Sequence, residues 1–443
     1  MSAQGDDGPR IGVVGGGITG LALTHYLREH GAEPVTFESR ETPGGVVCSR
    51  VVEGRILELG PQRLRLSGPV ADLVEDLGLG DAVVEALRDL PLYVYADGRL
   101  RRVPRSLGAF LSTDLLSWRG KLRLLAEPLT DAGDPGETAA ELFTRKFGRE
   151  AYENLIAPLF GGIYASDPAR MPAGHALAGL IRLEAREGSL LKPGISRLLG
   201  DETPPAVAFA GGNQRLPEAL YEANREHVRL STAVEAVRTT DGGYELVADG
   251  EHTSVDEVVV TAPAGAAANL LAPVAPDAER LRELTYNPLA MAYLRADHDR
   301  RGLGYQVRHG EPMHTLGVSW NGPAFARRSG SAGEDPEGEP SREGVHTCFL
   351  GGMLDGSVLD RSDEDLADMA REEFETVVGC RAEVIDLVRP EWGFPAYDES
   401  WTALEDLTLP DGIHLATNYT ARMGVPSRVR QAKELADQLA GTA

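Results

Sequence analysis

The stretch that decides the fold is Ile11-Gly12-Val13-Val14-Gly15-Gly16-Gly17-Ile18-Thr19-Gly20. Four residues that read as a short buried strand run straight into a G-x-G-x-x-G turn, and Leu21, Leu23 and Leu27 follow at helical spacing. Each motif glycine then has its own task. Gly15 allows the tight turn, Gly17 lets the backbone approach a pyrophosphate, and Gly20 lets the helix pack on the strand. The helix start offers free N–H groups and a positive dipole end to the phosphates. A second strand, Pro34 to Phe37, ends in Glu38, close to the position about 20 residues on where a carboxylate accepts ribose hydroxyls. An Arg there would favour a 2′-phosphate instead. Strand, turn, helix and acid together read as dinucleotide binding, with Ser39 and Arg40 continuing the loop after Glu38. The motif alone leaves the dinucleotide open.

The composition sets the limits around this motif. A chain of 443 residues exceeds what one hydrophobic core usually serves, so more than one structural unit is expected. Apolar residues at 42% and charged residues at 25% are a globular balance. The net charge of −24 argues against a nucleic-acid binder, which needs clustered Lys and Arg. Lys is nearly absent, with only Lys121, Lys146, Lys192 and Lys433. Cys48, Cys348 and Cys380 show no paired spacing, and the histidines form no metal-like cluster, so no metal is expected; His309 and His314 are expected at the surface. Met1 to Arg10 lacks the apolar run of a signal peptide, and no window is apolar enough to cross a bilayer. A cytoplasmic, reducing setting is the expectation.

Two further stretches identify the cofactor by resemblance. Thr42-Pro43-Gly44-Gly45-Val46 follows soon after Glu38, and Glu58-Leu59-Gly60-Pro61 comes a little later. With the first motif they resemble the flavin amine oxidase superfamily, in which the Gly pair lets the chain pass close to the flavin pyrophosphate. The amine oxidases usually carry Arg directly after that pair. Val46 in this place is more similar to the protoporphyrinogen/coproporphyrinogen oxidase family, and residues 56–65 fit that branch closely. Gly162-Ile163-Tyr164-Ala165, Gly302-Leu303-Gly304-Tyr305, Leu316-Gly317-Val318 and Phe349-Leu350-Gly351-Gly352 follow in the family's order.

The resemblance implies an α/β (α+β) protein with a discontinuous Rossmann-like FAD-binding domain, a β-sheet substrate domain and a mostly helical, membrane-associating domain. On that frame residues 1–75, 205–268 and 386–443 are the three parts of the FAD domain. Residues 76–204 are the helical domain and 269–385 the substrate sheet. From the residues themselves, 68–90 reads as a helix with a Gly-Leu-Gly stop at Leu77 to Gly80, Leu92–Tyr95 and Arg99–Pro104 as a hairpin turning at Asp97-Gly98, and Ser329 to Glu343 as an exposed low-complexity loop. Between Asp97 and Arg123 seven basic residues stand against two acids, a net +5 inside an acidic chain, interleaved with Leu107, Phe110, Leu111, Leu115, Leu116 and Trp118. This stretch is either a solvated basic face or a docking surface for an anionic membrane or substrate carboxylates.

The chemistry the resemblance implies needs no acid or base from the protein. Non-covalent FAD removes six electrons from a porphyrinogen in three rounds, and O2 returns the flavin to its oxidised state with release of H2O2. Gly162 presents its backbone near the reacting methylene, and Ile163, Leu303 and Phe349 line the substrate site. Carried-over flavin contacts are Gly15 to Gly20, Glu38, Ser39, Arg40, Gly45, Val46, Gly60, Pro61, Gln62, Arg63, Val234, Thr261, Trp392, Met423, Gly424 and Val425. The family often places a basic residue just before the Leu92-Tyr93 strand to pair with a propionate, where this chain has Leu90-Pro91; Arg88 or Arg99 are the substitutes. Near the C-terminus Tyr419-Thr420-Ala421-Arg422-Met423-Gly424 departs from the family's Tyr-x-Gly-x-Gly, and Ser427 replaces an acid. The implied location is cytoplasmic and peripheral on the inner face of the cell membrane, the implied partner a downstream haem-pathway enzyme, and both monomer and homodimer are compatible. A related amine oxidase or carotenoid desaturase, and a non-catalytic porphyrin-carrying flavoprotein, are the alternatives.

Overall fold

The computed structural model describes residues 8–194, 204–325, 340–391, 394–405, 407–420 and 423–441. Trp392 and most of the 329–343 loop lie outside that set. Arg10–Val14 is the middle strand of a five-stranded sheet, ordered Val228–Arg229, Glu33–Phe37, Arg10–Val14, Glu257–Val260, Ile413–Leu415. All four pairings are parallel. A parallel strand is covered on both faces, which is why these segments read as unbroken apolar runs. Ile11, Val13 and Val259 face two helices, Ile18–Glu29 and Val425–Leu439, which also bury Leu21, Leu27, Val429, Ala432 and Ala436. Val14, Val258 and Val260 face the other way, onto a meander of Val234–Thr240, Gly243–Ala248 and Glu251–Val255. Strands from three distant stretches of chain therefore end on one edge, and that edge carries the glycine turn.

A second sheet has seven strands, ordered Glu383–Val388, Leu289–Arg295, Val345–Gly351, Thr315–Trp320, Gly304–Val307, Leu92–Ala96, Arg99–Arg102. Its two faces alternate as the pleat requires. Ala292, Leu294, Tyr305, Trp320 and Leu350 pack on the helix Asp363–Val378. That helix starts at a Ser362 cap with three acids in its first turn and stops at Gly379 in the left-handed region, the charge and capping order its dipole favours. The opposite face carries Met291, Tyr293, Val345 and Phe349 and packs on Leu57, Leu59 and Ala165.

Three expectations are corrected here. The helix read over 68–90 ends at its foreseen Leu77–Gly80 stop, as Pro69–Asp76, and does not resume beyond it, where Val83–Glu85 is a strand paired with Ala206–Phe209. The hairpin of Leu92–Ala96 and Arg99–Arg102 belongs to the seven-stranded sheet, through the parallel pairing of Leu92–Ala96 with Gly304–Val307, and not to the helical segment around it. At the end of the low-complexity loop Arg342 is buried, with its guanidinium against the Glu58 carboxylate. Composition marked that stretch as solvent; a single ion pair draws it inside.

The helical segment explains the rare lysines. Lys146 is buried between Glu127, at 3.0 Å, and Glu184, while Ser189 Oγ donates to Glu127 at 2.5 Å. Lys121 turns inward to donate to the Leu111 and Thr113 carbonyls, each at 2.8 Å. In the +5 stretch two arginines meet the acids already counted in that sum, and Arg102, Arg105 and Arg119 stay exposed. Arg99 pairs with Asp114 at 2.7 Å, Arg101 with Asp97 at 2.6 Å, and Arg123 donates to the Lys146 carbonyl at 3.0 Å. The same surface is also apolar: Leu107, Leu111, Trp118, Leu122, Leu125 and Leu129 are exposed, Leu129 at 89%.

Candidate active site

At the C-terminal edge of the parallel sheet three glycine segments meet backbone to backbone. Gly44 N–H donates to the Gly16 carbonyl at 2.8 Å, and Gly17 and Gly44 form a parallel bridge. A Cβ on Gly45 would lie 3.2 Å from the Gly17 Cα, and one on Gly60 would collide with the Val46 carbonyl. The helix Ile18–Glu29 starts behind them with Gly17 as its cap, no side-chain acceptor and no acid in its first turn, although Ile18, Thr19 and Gly20 are buried. A buried, uncapped helix start leaves N–H groups to satisfy. A pyrophosphate laid along Gly16–Gly20 and Gly45-Val46 satisfies them, and a Cβ on Gly17 meets nothing closer than 4.0 Å, so the cradle has room.

Glu38 shapes the next part of this cradle. Its Oε2 accepts the Gly16 N–H at 2.7 Å and its Oε1 the Arg40 N–H at 2.9 Å, with Ser39 Oγ at 3.4 Å. Thr232 N–H donates to the Glu38 carbonyl at 2.8 Å, which brings the start of Val234–Thr240 beside it. Arg40 itself turns outward to Glu391 at 3.1 Å. Thr261 Oγ1 donates to the Val14 and Gly15 carbonyls, both at 3.0 Å, so it steadies the turn from below.

The far end of the cradle is the start of Val425–Leu439, capped by Gly424 at φ +108° without a side-chain acceptor. Met423 N–H donates to Tyr397 Oη at 3.1 Å, and the Tyr397 ring meets Tyr164 edge to face with centroids 5.1 Å apart. Tyr164 closes the helix Ala157–Tyr164 that carries Gly162. One aromatic contact thus links the expected reacting segment to the expected flavin segment. Ala421, Arg422 and Trp392 lie outside the described residues, as does the Ile163 side chain.

Other sequence-derived candidates take different places. Gln62 and Arg63 turn to the seven-stranded sheet. The Gln62 side chain donates to the Glu58 and Gly60 carbonyls and accepts from Asn321 at 2.7 Å and Thr347 at 2.8 Å, leaving its backbone, with Pro61, for a cofactor. Arg63 donates to the Leu303 carbonyl at 2.9 Å and to Ser319 Oγ, and burial pushes its guanidinium down to about 10. Leu303 packs with Leu90, Ala208 and Phe325, a different cluster from that of Phe349. Arg88 is exposed in a turn, and Arg99 is engaged by Asp114.

Sequence reasoning missed the seam between the two sheets. Glu58 accepts from Ser49 Oγ at 2.6 Å, from Asn213 N–H at 3.1 Å and from Arg342, and its carbonyl accepts from Tyr293 Oη at 2.8 Å. Burial pushes the Glu58 carboxyl up, opposed by Arg342 and by the Ser49 and Asn213 donors. His309 is not at the surface as expected: its Nε2 is buried beside Gly161 without a partner among the described residues, and desolvation lowers its imidazole.

A parallel sheet from three chain segments, a glycine cradle with an uncapped helix start and an acid after the second strand define a dinucleotide-binding protein. The sequence profile described as flavin containing amine oxidoreductase matches residues 18–440, and the chain belongs to that family. Chloroplastic protoporphyrinogen oxidase of Oryza sativa subsp. japonica is 27% identical over 477 residues, covering 96% of this chain and 87% of the relative. Coproporphyrinogen III oxidase of Bacillus subtilis is 25% identical over 409 residues, covering 85% of each. A crystal structure from Exiguobacterium sp. 255-15, provisionally described as a protoporphyrinogen oxidase, superposes over 100% of both chains with a TM-score of 0.79 at 24% identity. Putrescine oxidase bound to putrescine shares the fold with a TM-score of 0.73 at 16% identity, over 98% of this chain and 99% of that one. The fold is therefore common to amine and porphyrinogen oxidases and does not select the substrate.

Proposed function

We propose that the chain oxidises a porphyrinogen, protoporphyrinogen IX or coproporphyrinogen III, to the porphyrin, six electrons in three rounds, with O2 as acceptor and H2O2 as product. The observation that carries this reading is Phe349, half-buried on the sheet face beside the cradle, next to the packed apolar cluster of Leu57, Leu59, Leu316, Met291 and Ala165. Val46 in place of the Arg that amine oxidases usually carry, and the porphyrinogen oxidase names of the relatives, support the same choice.

Bound FAD supplies the hydride acceptor; the residues of the chain bind, orient and dry the site. The backbone from Gly15 to Gly20 and Glu38 hold the dinucleotide, and the Tyr397–Met423 contact fixes the segment at its far end. Phe349 and its neighbours exclude water from the reacting carbon. Turnover of protoporphyrinogen IX and coproporphyrinogen III, followed by porphyrin fluorescence and oxygen uptake, tests the reading and names the substrate. Peroxide formed from polyamines and not from either porphyrinogen overturns it.

We further propose that the exposed leucines around Trp118 dock on a lipid surface. Membrane association then rests on apolar insertion, with the exposed Arg102, Arg105 and Arg119 beside the inserted side chains. No helix among the described residues is long and apolar enough to cross a bilayer.

A further inference from the structure

Gln306, Gly317, Phe349 and Met291 form one row across four neighbouring strands of the seven-stranded sheet, each paired in register with the next. Tyr305 and Val307, on either side of Gln306, pack on the opposite face with the helix Asp363–Val378. Gln306 therefore lies on the face that carries Phe349. Gly317 leaves a slot in this row between Gln306 and Phe349. The Gln306 carboxamide fills that slot: its Oε1 occupies the space that a Cβ on Gly162 or on Gly317 would need. Both glycines are thus explained by one side chain.

That oxygen is buried and has no hydrogen-bond donor among the described residues, and His309 Nε2, next to Gly161, is buried without a partner among them as well. Buried polar atoms are almost always paired, so two unpaired atoms converging on Gly161-Gly162 call for donors or acceptors from outside the chain. A porphyrinogen brings four pyrrole N–H groups at the centre of an otherwise apolar ring, and burying them requires acceptors.

On the porphyrinogen reading, we propose that Gln306 is the substrate-positioning residue, its carboxamide oxygen accepting a pyrrole N–H and so setting which methylene bridge lies over Gly162. His309 sits at the same end as a second polar contact. The row Gln306–Gly317–Phe349 then combines a polar stop and an aromatic wall, which fix the ring in plane and in rotation. Arginine carboxylate contacts at the ring's edge are independent of this arrangement.

The test uses the FAD-loaded full chain and three variants, Gln306→Met, Gln306→Ala and Gln306→Glu, with KM, kcat and flavin content measured on both porphyrinogens. Methionine keeps the shape and removes the acceptor; glutamate keeps the acceptor. Losing a hydrogen bond to a buried donor raises KM about tenfold, so Q306M should show that rise with normal flavin content and a smaller change in kcat, and Q306E should restore KM to within about threefold. Q306A, which cannot overpack, carries the same test should Q306M lose flavin. An unchanged KM in Q306M and Q306A beside an active wild type overturns this inference alone. A wild type that turns over neither porphyrinogen overturns the functional reading, and this inference with it.

Discussion

Glu38 accepts the Gly16 N–H at 2.7 Å across the turn that opens the chain's first helix. The acid at the end of the second strand is therefore part of the phosphate cradle as well as the expected ribose acceptor. Glu38→Ala removes a charge-assisted acceptor, and such bonds contribute about 1.5–3 kcal/mol. FAD affinity should fall about 10–100-fold, read by flavin titration of the apoprotein, while Glu38→Gln should lose less. Equal FAD retention by wild type and Glu38→Ala would contradict this role.

The Glu58–Arg342 pair joins the parallel-sheet unit to the loop beside the second sheet, with both groups buried. Removing one partner of a buried pair typically costs about 3–5 kcal/mol, because the other charge remains uncompensated. Arg342→Met should destabilise the protein by that order in urea unfolding. Combining it with Glu58→Gln should cost clearly less than the sum of the two single changes. Additive effects would show that the two groups do not act as a pair.

His346 is buried against Phe374 and stacked on His298, and burial pushes its imidazole from 6.5 down to about 3. The unfolded chain therefore takes up this proton first as pH falls. The stability contribution is complete above pH 6.5 and is lost between 6.5 and about 3, at about 1.4 kcal/mol per pH unit. His346→Gln keeps a donor for the Ala296 carbonyl, which lies 3.0 Å from Nε2. This variant should lose about 2 kcal/mol less stability than wild type between about pH 6.5 and 4.5. His298 titrates in the same direction in both proteins, so only the difference is diagnostic. Parallel pH profiles would show that His346 is not held neutral.

Lipid docking by the exposed leucines predicts vesicle co-sedimentation that survives added salt. Trp118→Ser combined with Leu129→Ser should remove most of it, since both side chains are exposed, at 66% and 89%. Arg99→Glu should matter little, because Arg99 is paired with Asp114. Binding that salt abolishes and that the leucine and tryptophan changes leave intact would return the role to charge.

The dinucleotide unit was legible because its information is local: strand, glycine turn, helix and acid lie between Ile11 and Glu38, and each occupies its expected element. The sequence left the basic stretch open between a solvated face and a docking surface, because a count of charges does not show which partners each one meets. Asp97 and Asp114 together engage Arg99, Arg101 and Arg308. Arg342 was hidden by its acidic, glycine-rich surroundings, although Glu58 in the Glu-Leu-Gly-Pro motif signalled a buried acid in need of a partner. Gln306 gave no signal at all. Its meaning comes from Gly162 and Gly317, which only the strand register and the packing of a helix on the sheet bring to it.

Hydride transfer from a porphyrinogen to the bound flavin is read by anaerobic mixing of the FAD-loaded protein with coproporphyrinogen III or protoporphyrinogen IX. Rapid bleaching of the visible flavin band is expected on mixing with at least one of them, followed by porphyrin fluorescence and recovery of the band when oxygen is admitted. Tight porphyrinogen binding with the flavin band unchanged would contradict it and leave a carrier in place of an oxidase.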